Sequence, residues 1–203
     1  MISNPRGAHA LAVGLDAPLD VIIDGSVGYY CAGMNKQATV VVSGNAGTGL
    51  AENIMSGTVR VTGNASQSAG ASGHGGLVVI EGNASGRCGI SMKGVDIVVS
   101  GDIGHMSAFM AQSGNLVVLG NAGAGLGDSI YEARLFVRGS IENLGADCVE
   151  KEMGPEHLQI VARLLAAADM SAEPVDFRRY GSARTLYNFH VDDVDSAAKR
   201  AGR

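Results

Sequence analysis

Cysteine is scarce, with three residues in 203 and no Cys-x-x-Cys pair, so neither a disulfide framework nor a thiolate metal site is expected. No uninterrupted apolar run approaches the roughly 18 residues of a membrane span. The N-terminus, Met1-Ile2-Ser3-Asn4-Pro5-Arg6, lacks the basic-then-apolar order of a signal segment. Charge is thin at 17%, yet hydrophobic residues make up 46%, which excludes a disordered polyelectrolyte. Basic residues number 15 against 20 acidic, a formal net charge of −5, and this balance disfavours unspecific nucleic-acid binding and adhesion to anionic membranes. The absences together predict a folded, soluble chain in a reducing, cytoplasmic setting.

What the chain has in excess is glycine, 30 residues, about twice the usual share, and its placement is periodic. Gly25, Gly44, Gly63, Gly82, Gly101, Gly120 and Gly139 stand 19 residues apart in seven copies. Two positions earlier stand Ile23, Val42, Val61, Ile80, Val99, Val118 and Val137, and four earlier Val21, Val40, Val59, Val78, Ile97, Leu116 and Leu135. Two aliphatic columns at spacing two, rich in β-branched residues, predict a short strand in every copy. After each glycine comes Ser26, Asn45, Asn64, Asn83, Asp102, Asn121 or Ser140, then Val27, Ala46, Ala65, Ala84, Ile103, Ala122 or Ile141. Glycine tolerates positive φ and the polar residue can bond local backbone, so a sharp corner is expected there.

Nineteen residues are too few for a helix-pair repeat or a propeller blade, and the spaced leucines of a horseshoe are missing. The period therefore predicts an all-β fold: a parallel β-helix of about seven 19-residue coils, each with three short faces. Its domain division is residues 1–150 for the β-helix with an N-terminal cap and 151–203 for a C-terminal helix and extended arm. Aliphatic and alanine ladders fill such a prism, so chemistry would have to sit on an outer face, at an end or against another chain. Pro155 and the spacing of Leu158, Val161, Leu164 and Leu165 predict the helix over 156–168. Phe177 to Val191 reads as an extended arm that packs either on its own prism or on a partner. Its candidate partner-contacting residues are Phe177, Arg178, Arg179, Tyr180, Arg184, Tyr187 and Phe189. Residues 25–139 hold 12 charged side chains, against 16 in the much shorter stretch 151–203, so the prism's sides are expected to be covered, with other subunits as the expected cover.

No catalytic, cofactor-binding or metal-ligating residue emerges. Cys31 and Cys88 share a repeat column three coils apart, roughly 14 Å of rise, too far for a disulfide or a shared metal. His9, His74, His105, His157 and His190 are scattered, and Asp102, Asp128 and Glu132 form no acid–base pair at fixed spacing. Gly44-x-x-Gly47-x-Gly49 and Gly120-x-x-Gly123-x-Gly125 lack the following helix and the lysine of a phosphate loop, so they read as repeat corners. Asn64-Ala65-Ser66 and Asn83-Ala84-Ser85 match a glycosylation sequon but belong to the corner column.

The coils Gly25-Ser26-Val27-Gly28-Tyr29-Tyr30-Cys31-Ala32-Gly33-Met34-Asn35-Lys36 and Gly86-Arg87-Cys88-Gly89-Ile90-Ser91-Met92-Lys93-Gly94 resemble the GXGXG β-helix domain of the glutamate synthase large subunit. Three further strings, Leu126-Gly127-Asp128-Ser129-Ile130-Tyr131-Glu132-Ala133, Leu144-Gly145-Ala146-Asp147-Cys148 and Arg179-Tyr180-Gly181-Ser182-Ala183-Arg184-Thr185-Leu186-Tyr187-Asn188-Phe189, look like the stand-alone, separately encoded form of that domain, the glutamate synthase domain 3-like family found as a subunit of N-methylglutamate synthase. The resemblance implies a right-handed β-helix without an active site that joins two catalytic subunits in a hetero-oligomer. One would be a class II glutamine amidotransferase-like chain, the other an FMN-binding, iron–sulfur-containing synthase. The complex would convert glutamate and methylamine to N-methylglutamate with release of ammonia. The FMN and cluster would lie on the partner, since Ile2 cannot serve as an N-terminal nucleophile and no flavin or cluster motif occurs here. Two alternatives stand beside this reading: the β-helical subunit of a formylmethanofuran dehydrogenase or formyltransferase–hydrolase complex, and a self-sufficient surface enzyme such as a polysaccharide lyase or acyltransferase.

Overall fold

The computed structural model describes residues 1–184. Its strands are β1 (Ile2–Ser3), β2 (Asp20–Asp24), β3 (Thr39–Val42), β4 (Thr58–Val61), β5 (Leu77–Ile80), β6 (Lys93–Val99), β7 (Ser113–Val118), β8 (Arg134–Val137), β9 (Cys148–Lys151) and β10 (Arg178–Ser182). They form one sheet ordered β1-β2-β3-β4-β5-β6-β7-β8-β10-β9. From β2 to β8 each strand pairs in parallel with the strand 19 residues on, as in Val40 with Val59 and Val59 with Val78. A second line of single bridges joins Val27, Ala46, Ala65, Ala84, Ile103, Ala122 and Ile141. The chain is a β-solenoid of about seven turns, as its glycine period predicts.

Both strand columns from Val40 and Val42 to Leu135 and Val137 point inward and are fully buried. They meet the buried bridge column and a third one of Cys31, Leu50, Ala69, Cys88, Ser107 and Leu126. Burying an aliphatic side chain contributes about 1.5–3 kcal/mol, and the columns repeat that gain coil after coil in one continuous core. At the corner, each polar side chain accepts the backbone N–H of the next coil's polar residue: Asn64 N donates to Asn45 Oδ1 at 2.8 Å, Asn83 N to Asn64 Oδ1 at 2.8 Å, and Asp102 N to Asn83 Oδ1 at 2.8 Å. A carboxylate at Asp102 continues the ladder because an acceptor is all the position needs.

The corner glycines serve a different need from the one expected. Only Gly25 of the seven has positive φ. At Gly82 an added Cβ would lie 2.5 Å from Asn64 Oδ1 and 2.7 Å from the carbonyl oxygen of Gly63, so the position requires close approach of stacked backbones, not a left-handed turn. Left-handed residues occur instead on the third side of each coil, at alternate positions that are mostly not glycine: Tyr30, Ala32 and Met34, then Arg87 and Ser91, then Met106, Ala108 and Met110. Each such residue carries a steric penalty of about 1–2 kcal/mol. Inter-coil bonds hold it, as from Tyr30 N to Thr48 O, Ala32 N to Leu11 O and Met34 N to Glu52 O.

The first 19 residues are more than a cap. β1 pairs in parallel with β2, and Asp16 bridges to Lys36, so they wind one further, less regular coil. At the other end, α1 (Pro155–Ala167) begins on Pro155 at its first turn and buries Val161, Leu164 and Leu165. It packs on the outward side chains of four successive strands, Val79, Val98, Val117 and Phe136, forming a second core with Phe177. Arg60 fixes the far end of this helix by donating from Nη2 to Ala168 O at 2.7 Å while pairing with Glu81, and Arg163 reaches Asp96 at 3.3 Å. Part of the cover that sparse charge predicted thus comes from the chain itself. No helix among the described residues is long and apolar enough to cross a membrane.

Candidate functional site

The reactive side chains are largely engaged in structure. Cys31 and Cys88 are rungs of a core column, and Cys148 is buried at the last turn. Burial pushes their thiols up to about 11, 12 and 11 respectively, which keeps them protonated and poor as nucleophiles or metal ligands at neutral pH. His9 Nδ1 accepts from Tyr29 N at 2.9 Å while its ring stacks on Tyr29 at 4.6 Å. Asp128 accepts from Ser129 Oγ at 2.8 Å and from Ala146 N at 3.1 Å. Among the described residues no group of three or more His, Cys, Asp and Glu side chains is placed to hold a metal ion. Asn35, fully buried, donates from Nδ2 to the carbonyls of Ala38 and Ser56 and leaves Oδ1 without a partner among the described residues.

His157 has a defined task. It sits at the third position of α1, and its Nδ1 accepts the N–H of Gly154 at 3.1 Å, satisfying a donor at the helix start. That bond needs the neutral ring. Burial, and then the positive charge of Arg179, lower its proton affinity below the usual imidazole value, with Arg134 adding to the effect and Glu156 opposing it.

The arm folds back on its own solenoid as far as it is described. β10 runs antiparallel between β8 and β9, with Arg179 opposite both Phe136 and Lys151. Phe177 and Tyr180, candidates for partner contact, are each only 3% exposed and belong to the chain's own two cores. A partner cannot use them without unfolding the end of the rod. Arg178 remains outward, donating to Gly139 O at 3.2 Å and lying 3.9 Å from Glu150, and Arg184 pairs with Asp147. Arg179 is partly buried and donates from Nε to Glu152 O at 2.7 Å. Tyr187 and Phe189 lie outside the described residues.

Two surface features were not legible in the sequence. One is a groove of about 440 Å³ on the third side of the first coils, lined by Met34, Met55, Asn53 and His74, with the Lys36–Asp16 ion pair at its edge. The other is a polar concavity of about 210 Å³ at the C-terminal end, where Arg134, Lys151, Arg179 and Arg184 gather around Gly181 and Ser182. These cations come from three strands and the segment after β10. Their sequence separation hides the convergence, and only the reversal of β10 makes it.

The chain is 66% identical over 196 residues to Protein GlxC of Rhizobium meliloti (strain 1021), an alignment covering 96% of this chain and 86% of that protein. No family model matches the chain, and no solved structure matches it.

Proposed function

The chain belongs to the family of Protein GlxC, and from the way its coils are packed we propose that it is a noncatalytic structural subunit of a glutamate-synthase-like enzyme complex. The observation that carries the reading is the filled interior: every inward column from β3 to β8 is buried side chain to side chain, so a substrate could meet this chain only on its outside. A rod with a solid core suits the holding of other chains at a fixed separation. The strings at 126–133, 144–148 and 179–189 support the finer assignment to N-methylglutamate synthase. In that assignment this chain bridges a class II glutamine amidotransferase-like subunit and an FMN-binding, iron–sulfur-containing subunit in a cytoplasmic hetero-oligomer, and its surface lines part of the route taken by ammonia or the amine. Selectivity for methylamine would reside in the flavin chain.

The test is the mass of the native assembly with its chains identified. Co-purification of this chain with a flavin-containing and an amidotransferase-like chain, and formation of N-methylglutamate from glutamate and methylamine by that assembly, is the expected result. A chain that purifies from its own cells as a monomer, with neither partner, overturns the proposal.

A further inference from the structure

We propose that Arg134, Lys151 and Arg179 form a binding site for a small oxyanion, a phosphate or a carboxylate, at the C-terminal end of the solenoid. Arg134 opens β8, Lys151 closes β9 and Arg179 is the second residue of β10. In the antiparallel pairing of β10 with β9, Arg179 lies directly opposite Lys151. Like charges at facing positions of a strand pair oppose the pairing, and here a third cation, Arg134, borders the same concavity.

The acidic residues nearby answer this charge only in part, Glu156 and Glu152 offsetting it at Arg179 without forming an ion pair. Asp147 is engaged by Arg184, and Glu152 contributes its backbone oxygen to Arg179. Among the described residues none of Arg134, Lys151 and Arg179 makes an ion pair, and Glu132 is the one carboxylate lining the concavity. Burial and then the proximity of Arg134 lower the proton affinity of Arg179, with Glu156 and Glu152 opposing. Gly181 lines the floor, where an added Cβ would make only ordinary contact with Ala133 O at 3.7 Å and Lys151 Cγ at 3.8 Å. About 210 Å³ accommodates one phosphate or a short dicarboxylate and falls below the 300 Å³ or so typical of sites for larger ligands. Guanidinium groups present the planar, forked donors that such oxyanions accept in pairs.

The experiment titrates the full chain at low ionic strength with inorganic phosphate and, separately, with succinate, reading heat and backbone amide shifts. Saturable one-to-one binding of either is expected, and the tighter of the two names the class. Arg134→Gln and Lys151→Gln should each weaken it by about tenfold or more, since each removes a charge-assisted bond. Arg178→Gln, which alters a neighbouring arginine outside the concavity, should leave it unchanged. If a variant does not fold, the wild-type amides decide: shifts centred on Gly181 and Ser182 support the site, whereas shifts elsewhere only overturn it. Absence of saturable binding by both anions, or equal binding by the folded variants, also overturns it.

Discussion

At the C-terminal end the last coil is closed by β9 and β10 and flanked by α1, with Tyr180 and Phe177 driven into the two cores, whereas at the N-terminal end Ile2, Leu11, Ala12 and Leu15 finish the main core only partly buried. β1 has two residues and one neighbour. The same repeat therefore ends once in a built cover and once in its own side chains. Because each coil of a solenoid touches only its neighbours, local opening should begin at the lightly finished end and travel inward. The covered end should open only with the whole.

The change that would most disturb this contrast is Tyr180→Ala. Truncating a buried aromatic costs about 3–5 kcal/mol, here at the side chain that locks β10 into the main core, and chemical denaturation should show that loss. In the middle of the rod, Gly82→Ala should cost about 1–3 kcal/mol, because its Cβ has no room between Asn64 Oδ1 and the Gly63 carbonyl. Leu11→Ala, at the light end, should cost about 1–2 kcal/mol, less than a fully buried leucine would, since its side chain is only partly buried. Its readout is kinetic: native-state thiol labelling of Cys31 should accelerate while Cys88 and Cys148 keep their rates. Equal labelling of all three would mean that the rod opens as a single unit and would erase the distinction between its ends.

The smallest effect is a pH dependence confined to the covered end. The His157 proton affinity is lower in the folded chain than in the unfolded one, so the unfolded state takes up the proton first as pH falls. Stability is full above the unfolded imidazole value of roughly 6.5 and declines below it, down to the folded value, by linkage. Hydrogen exchange should show the start of α1 loosening between pH 7 and 5, and His157→Gln should flatten that slope.

The coil period, the two inward strand columns and the helix could all be read from the residues, because a column repeated seven times outweighs any local ambiguity. Pro155 and Val161, Leu164 and Leu165 likewise marked α1 and its buried face. The surroundings of these elements were less legible. Val79, Val98 and Val117 are outward by alternation, and nothing in their own segments says that a helix much later in the chain will lie on them. The arm's direction was hidden because Arg178-Arg179-Tyr180-Gly181-Ser182 has no alternating pattern. The left-handed positions were hidden too, since Tyr30, Arg87 and Met106 are not residues that announce positive φ. The glycine column is plain in the sequence, but the need it meets is room for the neighbouring coil, not a left-handed turn. The basic concavity follows from the arm's reversal and could not be seen before it.

From β2 to β8 the coils keep a 19-residue register, broken only by a local shift between Lys93 and Asp96 that is absorbed before Asp96, so the molecule is most simply lengthened or shortened by whole coils. Duplicating a 19-residue block would add about 4.8 Å and return every Asn, Val and Ala to its place, whereas a single residue inserted without a bulge to absorb it, such as the one before Asp96, would turn the rest of a strand inside out. The distance between the two extremities can thus be tuned in whole-coil increments, as a stack of identical spacers is tuned.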